Sequence, residues 1–216
     1  MSTNKVVSNN TVRRLPKYLR KLDELSESGI TRISSLELGE MLGMTASQIR
    51  QDLSTFGEFG HQGIGYQVQT LRDAIAQILG IEHGYRAVLV GTGNIGRALM
   101  DKFSFEDWGF RLEAAFDINP GMIGKTLNGV PVLDASTLES YLQQNQVDVA
   151  VLCVPLQHAA DTAKRLISCG IDAIWNFTNA DITEPDSRTI VENIHFSDSL
   201  MALSYYLTNR NNKAGK

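Results

Sequence analysis

The chain has 216 residues, of which 43% are hydrophobic, and this is enough for a packed core in one large domain or two small ones. It has no apolar run near the roughly 20 residues that a membrane span needs, and its polar first ten residues lack the apolar core of a signal peptide. We therefore expect a cytoplasmic protein with no membrane partner, in which Cys153 and Cys169 stay reduced.

Charge is distributed unevenly along the chain, whose formal net charge is −4. Residues 1–80 carry nine Lys and Arg against eight Asp and Glu, whereas residues 81–216 carry eleven against sixteen. The first 21 residues contain six basic side chains and no acidic one. Such a segment is typical both of a nucleic-acid contact and of a solvated helix face, and charge alone leaves both interpretations open.

Three helices are predicted at the start of the chain. The first runs from Pro16 to Ser28, because proline suits a first helical turn. The second covers residues 36–42 and is capped by a serine just before it. The third begins at Thr45, which forms the T-x-x-Q pattern of a capping box with Gln48, and reaches about residue 56.

A glycine-rich segment follows the third helix. Glycines at 57, 60, 63 and 65 alternate with aromatic and aliphatic side chains, a pattern typical of a β-hairpin. A linking helix is predicted over residues 71–79. Helix–turn–helix followed by a hairpin is the arrangement of a winged helix, so we predict a winged-helix domain over residues 1–80.

One side of the predicted third helix carries residue types that contact bases and phosphates in a major groove. The predicted DNA-binding residues are Ser47, Arg50, Gln51 and Ser54 on this helix, with His61, Gln62 and Gly63 at the hairpin tip, where a wing would touch the minor groove. Arg50 has the reach for a guanine or a phosphate. A small helical packing domain without a ligand is the alternative that this pattern leaves open.

After residue 80, strands and helices alternate, which predicts an α/β fold with a parallel sheet. Strands are predicted over 87–91, 111–117, 147–153 and 171–176, helices over 95–105, 137–145 and 158–168, and an extended segment over 189–195. A Rossmann-like domain would span residues 81–197. The remaining segment, 198–216, contains an apolar helix from about Asp198 to Asn209, which must pack on its own domain or on a partner chain.

The most informative motif is the G-x-G-x-x-G run from Gly91 to Gly96, which follows an apolar strand and opens a helix. Gly91 permits the tight turn, Gly93 lets the backbone approach a pyrophosphate, and Gly96 lets the helix pack close to the strand. Asp117 ends the next strand. Its carboxylate would accept hydrogen bonds from the adenosine ribose and repel a 2′-phosphate, which favours NAD over NADP.

Loops at the carboxyl ends of parallel strands line the ligand crevice of such a sheet. The predicted cofactor-binding residues are therefore Gly91, Thr92, Gly93, Asn94, Ile95, Gly96, Asp117, Val154, Pro155, Asn176, Phe177 and Thr178. Within this set we expect Asn176 and Phe177 at the nicotinamide, with Phe177 in ring contact.

Two other function classes compete with a DNA-binding sensor. A small NAD-dependent oxidoreductase needs a proton relay, but the sequence has no Tyr-x-x-x-Lys, and His158 is the one candidate acid or base near the cofactor edge. A CoA- or nucleotide-binding scaffold is the third class. No metal-ligand pattern is present. A cofactor site without a catalytic constellation indicates that the nucleotide is sensed and not consumed, so we predict no enzyme activity.

Several short stretches occur in a characteristic order and spacing along the chain: Ser34-Ser35-x-Glu37-Leu38, Ile49-Arg50-x-Asp52-Leu53-Ser54-x-Phe56-Gly57, Gly63-Ile64-Gly65-Tyr66, Gly91-x-Gly93-Asn94-Ile95-Gly96, Phe116-Asp117, Val154-Pro155, Gly170-Ile171 and Asn176-Phe177. With these stretches, the sequence resembles the Rex family of bacterial redox-sensing transcriptional repressors over nearly the whole chain. The resemblance implies a homodimer with a C-terminal helix exchanged between subunits. It also implies that NAD(H) is the cofactor and that NADH releases the repressor from double-stranded operator DNA.

The sequence departs from the pattern of that family at several positions. The recognition helix usually has a second basic residue where Gln51 stands, and the wing tip is usually basic where His61 and Gln62 stand. The resemblance also implies a coupling set of an N-terminal arginine, an aromatic residue and an acid. Here these positions hold Arg14, Lys102 and His195.

Overall fold

The computed structural model describes residues 7–61, 64–183 and 187–214. Gln62 and Gly63 of the predicted wing tip lie outside the described residues, as does the side chain of His61. The chain divides into two units, residues 1–83 and 84–216.

The described residues of the N-terminal unit form four helices and three short strands. In chain order these are α1 (Asn9–Glu27), β1 (Arg32–Ile33), α2 (Ser35–Leu42), α3 (Ala46–Ser54), β2 (Gly60–His61), β3 (Gly65–Gln67) and α4 (Val68–Leu79). The strands form an antiparallel sheet in the order β1-β3-β2. The predicted helix–turn–helix and hairpin are therefore present.

The helix starts follow from their caps. Ser34 and Glu37 form a complete capping box at α2. At α3 only half of the predicted box forms, because Thr45 accepts from the Gln48 amide while the Gln48 side chain bonds elsewhere. The predicted start of α1 at Pro16 was wrong. Ser8 caps the helix more than one turn earlier, and Pro16 lies inside the helix.

A single apolar cluster holds this unit together. Helix α1 packs against α4 and against the pair α2–α3, so that the leucine stripe of α1 is buried. Its largest fully buried side chains are Leu15, Tyr18, Leu22, Leu38, Ile49, Leu53, Leu71 and Ile75. Because Ile49 and Leu53 anchor one side of α3, the opposite side of that helix faces solvent.

The C-terminal unit is built on a seven-stranded sheet in the order β10-β9-β8-β4-β5-β7-β6. Its elements are β4 (Tyr85–Val90), α5 (Asn94–Lys102), β5 (Phe110–Asp117), β6 (Thr126–Leu127), β7 (Val130–Asp134), α6 (Leu138–Gln144), β8 (Val149–Leu152), α7 (Leu156–Ser168), β9 (Ala173–Asn176), β10 (Ile190–Asn193) and α8 (Phe196–Ala214). All neighbouring strands are parallel except β6 and β7.

The sheet is buried on both faces, as shown by the side chains of β4, which point alternately to its two sides. Val88 and Val90 point into one apolar cluster, and Ala87 and Leu89 point into the other. Strands β6 and β7 were not predicted. Their sequence signal is Asn128-Gly129, whose positive φ values of 47° and 84° form the tight turn of a hairpin.

Helix α8 differs from the others because its apolar side chains are exposed. Leu200, Met201, Leu203, Tyr205, Tyr206 and Leu207 are all about half exposed or more. The helix also begins earlier and ends later than predicted. Among the described residues, no helix has the combined length and apolarity of a membrane span.

Candidate functional site

The glycine turn of the C-terminal unit lies between β4 and α5. A Cβ atom at Gly91 would lie 2.7 Å from the Cys153 carbonyl oxygen, and Gly91 has a φ of 98°, so a side chain is excluded there. A Cβ at Gly96 would lie 2.0 Å from the Gly91 carbonyl oxygen, which allows α5 to pack against the turn. Gly93, in contrast, has open space around it.

The first turn of α5 presents backbone donors toward this turn. The amide of Arg97 donates to the Gly93 carbonyl at 2.9 Å, and this bond begins the hydrogen-bonded part of the helix. The amides of residues 94–96 therefore precede it, as expected at a helix N-terminus. Such amides, together with the helix dipole, form a site for a phosphate group.

Asp117 ends β5 beside the glycine turn and is tied to it. Its Oδ2 accepts from the Thr92 amide at 2.6 Å and from the Thr92 hydroxyl at 2.5 Å, while Oδ1 accepts from the Asn119 amide at 2.8 Å. Burial raises the pKa of Asp117, but these hydrogen bonds outweigh it, so the pKa lies below the ordinary value of 3.8. Asp117 is therefore a carboxylate at neutral pH.

The ends of β8 and β9 supply the rest of the predicted crevice. Val154 is half-buried against the core, and Pro155 is exposed. Phe177 and Thr178 are buried. The Phe177 ring packs edge-on against Trp175, with 4.5 Å between the ring centroids. The parallel strand ends place these residues on the same edge of the sheet as the glycine turn.

The Asn176 side chain makes hydrogen bonds with backbone and side-chain groups of the same unit. Its amide nitrogen donates to the Ala180 carbonyl at 2.7 Å and to Asn193 Oδ1 at 2.8 Å, and its oxygen accepts from the Thr178 amide and hydroxyl. The side chain has no exposed surface. In this structure the Asn176 side chain therefore holds the loop after β9 in place, and a contact between Asn176 and a cofactor stays a prediction.

Sequence reasoning missed two apolar residues at this edge of the sheet. Ile118, directly after Asp117, is 79% exposed, and Leu156, directly after Pro155, is 59% exposed. Ile118 follows the end of β5, and Leu156 begins α7 after the end of β8, so both lie beyond strand ends. Pockets for small ligands are lined largely by apolar side chains. In the sequence, Ile118 directly follows a predicted strand end, whereas Leu156 lies three residues past the predicted strand end at 153.

The N-terminal unit displays the predicted DNA-binding side chains of α3 on one exposed side. Ser47, Arg50, Gln51 and Ser54 all face solvent. The Arg50 guanidinium donates to Ser35 Oγ at 2.9 Å, so this side chain bends toward the start of α2. The structure therefore brings the four helix residues together, while the three wing-tip residues lie outside the described side chains.

Beneath this exposed side lies a buried carboxylate that sequence reasoning did not single out. Asp52 is 1% exposed and accepts two hydrogen bonds from Arg14, both at 2.7 Å. It also accepts from the Tyr18 hydroxyl at 2.5 Å and from Gln48 at 2.8 Å. Burial raises the pKa of Asp52, and these donors more than offset that effect. The Arg14–Asp52 ion pair thus ties α3 to α1.

The two other residues of the expected coupling set lie in the C-terminal unit. Lys102 is exposed at the end of α5. The His195 ring contacts Asp181 Oδ1 at 3.0 Å through Nε2 and Asn179 Oδ1 at 3.3 Å through Nδ1. Arg14 and His195 are therefore each paired with an acid of their own unit.

The remaining residues that the sequence singled out are His158 and the two cysteines. His158 is exposed on α7, and its ring makes no hydrogen bond or ion pair with any described residue. Cys153 and Cys169 are free thiols, and burial raises the pKa of Cys153 to about 12. Within residues 7–61, 64–183 and 187–214, no cluster of His, Cys, Asp and Glu has the form of a metal site.

The fold and the glycine turn define a class: proteins that join a winged-helix unit to a Rossmann-like nucleotide-binding unit. A family described as "Putative DNA-binding protein N-terminus" matches residues 6–54, and one described as "CoA binding domain" matches residues 82–180. The chain is 47% identical to the redox-sensing transcriptional repressor Rex of Thermoanaerobacter sp. (strain X514), covering 96% of this chain and 92% of that protein. It is equally similar to Rex of Clostridium beijerinckii (strain ATCC 51743 / NCIMB 8052), at 47% identity with 96% and 98% covered.

Two solved structures also match nearly the whole chain. The structure of RSP in complex with β-NAD+ and operator DNA matches with a TM-score of 0.89 and 45% identity, covering 98% of this chain and 97% of that one. RSP in complex with β-NADH matches with a TM-score of 0.90 and 43% identity, covering 98% and 99%. The chain therefore belongs to the Rex family of redox-sensing transcriptional repressors. The predicted family is confirmed, and so is the predicted fold class of an N-terminal DNA-binding unit and a C-terminal Rossmann-like parallel sheet. The exchanged C-terminal helix stays a prediction. Membership in this family makes the protein a regulator.

Proposed function

We propose that this chain represses transcription by binding double-stranded operator DNA through its N-terminal unit, and that NADH bound to its C-terminal unit releases the DNA. The observation that carries the proposal is the ionised Asp117 beside an open glycine turn, in a chain 45% identical to a repressor solved with NAD+ and operator DNA. A second solved relative holds NADH.

The residues present fit a dinucleotide. Gly93 and the amides of Asn94 and Ile95 would hold the pyrophosphate, because the turn is open there and the helix begins there. Asp117 would hold the adenosine ribose. Its charge would repel the additional phosphate of NADP, so we expect a preference for NAD(H).

The two ends of the cofactor would meet different surfaces. The adenine would pack between Ile118 and the loop of Val154 and Pro155. The nicotinamide would lie at the loop after β9, near Phe177 and Thr178. Asn176 would act by holding that loop through its four hydrogen bonds.

Redox sensing requires that NADH and NAD+ differ in how they favour the DNA-binding state, because a ligand shifts a conformational equilibrium only by its differential affinity. A neutral dihydronicotinamide can be buried against an aromatic ring at a lower desolvation cost than the cationic ring of NAD+. To move the population from 1:99 to 99:1, NADH must prefer the released state by about 10⁴-fold.

The exposed side of α3 would lie against the major groove, where Ser47, Arg50, Gln51 and Ser54 would contact bases or phosphates. The wing from His61 to Gly63 would lie beside it. Anisotropy of a labelled operator duplex, titrated with the protein and then with NADH or NAD+, tests the proposal directly. We expect release at a lower concentration of NADH than of NAD+. Equal release by both, or no binding of the duplex, would contradict it.

We further propose that the protein is a homodimer in which α8 of each copy packs on the C-terminal unit of the other. An apolar groove of about 340 Å³ lies on one face of the sheet, lined by Ala87, Phe103, Phe105, Trp108, Phe110, Val149, Val151, Ala173, Ile174, Trp175, Ile190 and Glu192. The exposed apolar side chains of α8 match this groove in character. Contiguous exposed apolar surface of this kind marks an interaction site.

A further inference from the structure

A second feature of the N-terminal unit is an open cleft between α3, the start of α2 and the three-stranded sheet. Its volume is about 680 Å³, and its lining residues are Arg32, Ile33, Ser34, Ser35, Glu37, Arg50, Gly60, Ile64, Gly65 and Tyr66. Most of these residues have no role in the function proposed above. We refer to this feature as the arginine cleft.

Arg50 points into this cleft. Its guanidinium donates to Ser35 Oγ at 2.9 Å, and Ser35 is the first residue of α2, whose start is fixed by the capping box of Ser34 and Glu37. Burial raises the pKa of Tyr66 on β3, and the charge of Arg50 acts in the opposite direction, so the guanidinium lies near that ring. The Arg50 side chain therefore reaches from α3 to the start of α2, and its charge lies near Tyr66 of β3.

The charges of the arginine cleft favour an anion. Arg32 is exposed on β1, on the other side of the cleft from α3. The lining contains one carboxylate, that of Glu37, which accepts a hydrogen bond from the Ser34 amide at 2.8 Å. Two guanidinium groups against one capping carboxylate leave a net positive charge in the cleft.

We propose that Arg32 and Arg50 hold one phosphate of the DNA backbone in this cleft, and that Ser35 positions Arg50 for that contact. The inference rests on the proposed DNA binding and deepens it. A guanidinium presents paired N–H donors that match phosphate oxygens. Because the Arg50 side chain is turned toward α2, direct base reading falls to Gln51 and Ser47, and Gln is suited to adenine.

Phosphate and base contacts are distinguished by their salt dependence and sequence dependence. We would measure binding of operator and of scrambled duplex across a salt series for Arg32→Ala, Arg50→Ala and Gln51→Ala. Each arginine variant should weaken binding to both duplexes by the same factor, and the slope of log K against log[salt] should fall by about 0.9 per lost contact. Gln51→Ala should lower the operator-to-scrambled ratio and leave the slope unchanged.

Arg20→Ala is the matched control, because Arg20 is an exposed arginine of α1 outside the cleft. It should change the slope far less than the cleft variants. A lowered operator-to-scrambled ratio in Arg50→Ala would overturn the phosphate assignment, and an unchanged slope in Arg32→Ala would remove Arg32 from the site. Failure of the wild-type protein to bind operator would instead contradict the proposed function itself.

Ser35 is tested by comparing Ser35→Ala with Ser35→Thr, which keeps the hydroxyl. Ser35→Ala should weaken binding to both duplexes a few-fold, and Ser35→Thr should bind them as the wild-type protein does. In the background of Arg50→Ala, Ser35→Ala should have no further effect, since its role is to position that side chain. Independent effects in the double variant would overturn the positioning role. Circular dichroism of each variant verifies that the helices are retained.

Discussion

The Thr92 hydroxyl and the Asp117 carboxylate are 2.5 Å apart, and this hydrogen bond joins the glycine turn to the end of the neighbouring strand. The hydroxyl is buried, while the carboxylate is partly exposed. Thr92 therefore holds Asp117 through one carboxylate oxygen, and the Asn119 amide holds the other. The orientation and charge of Asp117, the residue proposed to bind the ribose, thus depend in part on a residue that is itself inaccessible.

We expect Asp117→Ala to weaken NADH binding by about 10- to 100-fold, since a hydrogen bond to a charged group is worth roughly 1.5–3 kcal/mol. DNA binding without cofactor should be unchanged. Isothermal titration calorimetry with NADH measures the first effect and operator anisotropy the second. Asp161→Ala, which removes an exposed carboxylate from α7, is the matched control. Unaltered NADH affinity in Asp117→Ala would contradict the ribose role.

Thr92→Val should destabilise the protein by about 1 kcal/mol at neutral pH, because it removes one hydrogen bond from Asp117. The folded-state pKa of Asp117 is lowered, so the associated stability is present above the ordinary value of 3.8 and is lost as pH falls through the lower folded value. The difference in unfolding free energy between the wild-type protein and Thr92→Val should therefore become smaller at acidic pH. Urea unfolding at several pH values measures it, with Thr92→Ser as the conservative variant. A difference that does not depend on pH would contradict this account.

Asp52→Ala should destabilise the N-terminal unit by about 3 kcal/mol, because it leaves the buried Tyr18 hydroxyl and the partly buried Arg14 and Gln48 side chains without their shared acceptor. Operator binding should fall as well, since Asp52 ties the recognition helix to α1. Far-UV circular dichroism during denaturation measures the first effect. The double variant Arg14→Gln with Asp52→Ala should lose less unfolding free energy than the sum of the losses in the two single variants. Simple additivity would show that the ion pair is not the stabilising contact.

The double substitution Leu203→Glu with Leu207→Glu should convert the dimer to a monomer, because both leucines lie on the same side of α8 and would place charge in an apolar groove. Sedimentation equilibrium measures the mass. Ala202→Glu, which places one charge about 100° around the helix from Leu203, is the control and should weaken the dimer less than the double substitution. A dimer that survives the double substitution would exclude this surface as the interface.

Local patterns predicted most of the elements and the glycine turn. The strand, the turn and the start of α5 are contiguous, and Asp117 closes the next strand, so spacing alone places these groups together. The hairpin of β6 and β7 was missed although Asn128 and Gly129 have the composition of a tight turn. The start of α1 was misplaced because Pro16 is compatible with a first turn and also with the helix interior, and the cap at Ser8 decided between them.

The sequence by itself determined what depends on neighbours along the chain: the caps, the glycine turn, the alternation of strands and helices, and the family. Only the tertiary structure decided which polar groups meet across the chain. Asp52 is 38 residues from Arg14 and Arg50 is 15 residues from Ser35, and nothing in their spacing indicates a contact. The physical reason is that a hydrogen bond requires an approach within about 3 Å, and packing of whole elements, not local periodicity, brings distant donors and acceptors that close.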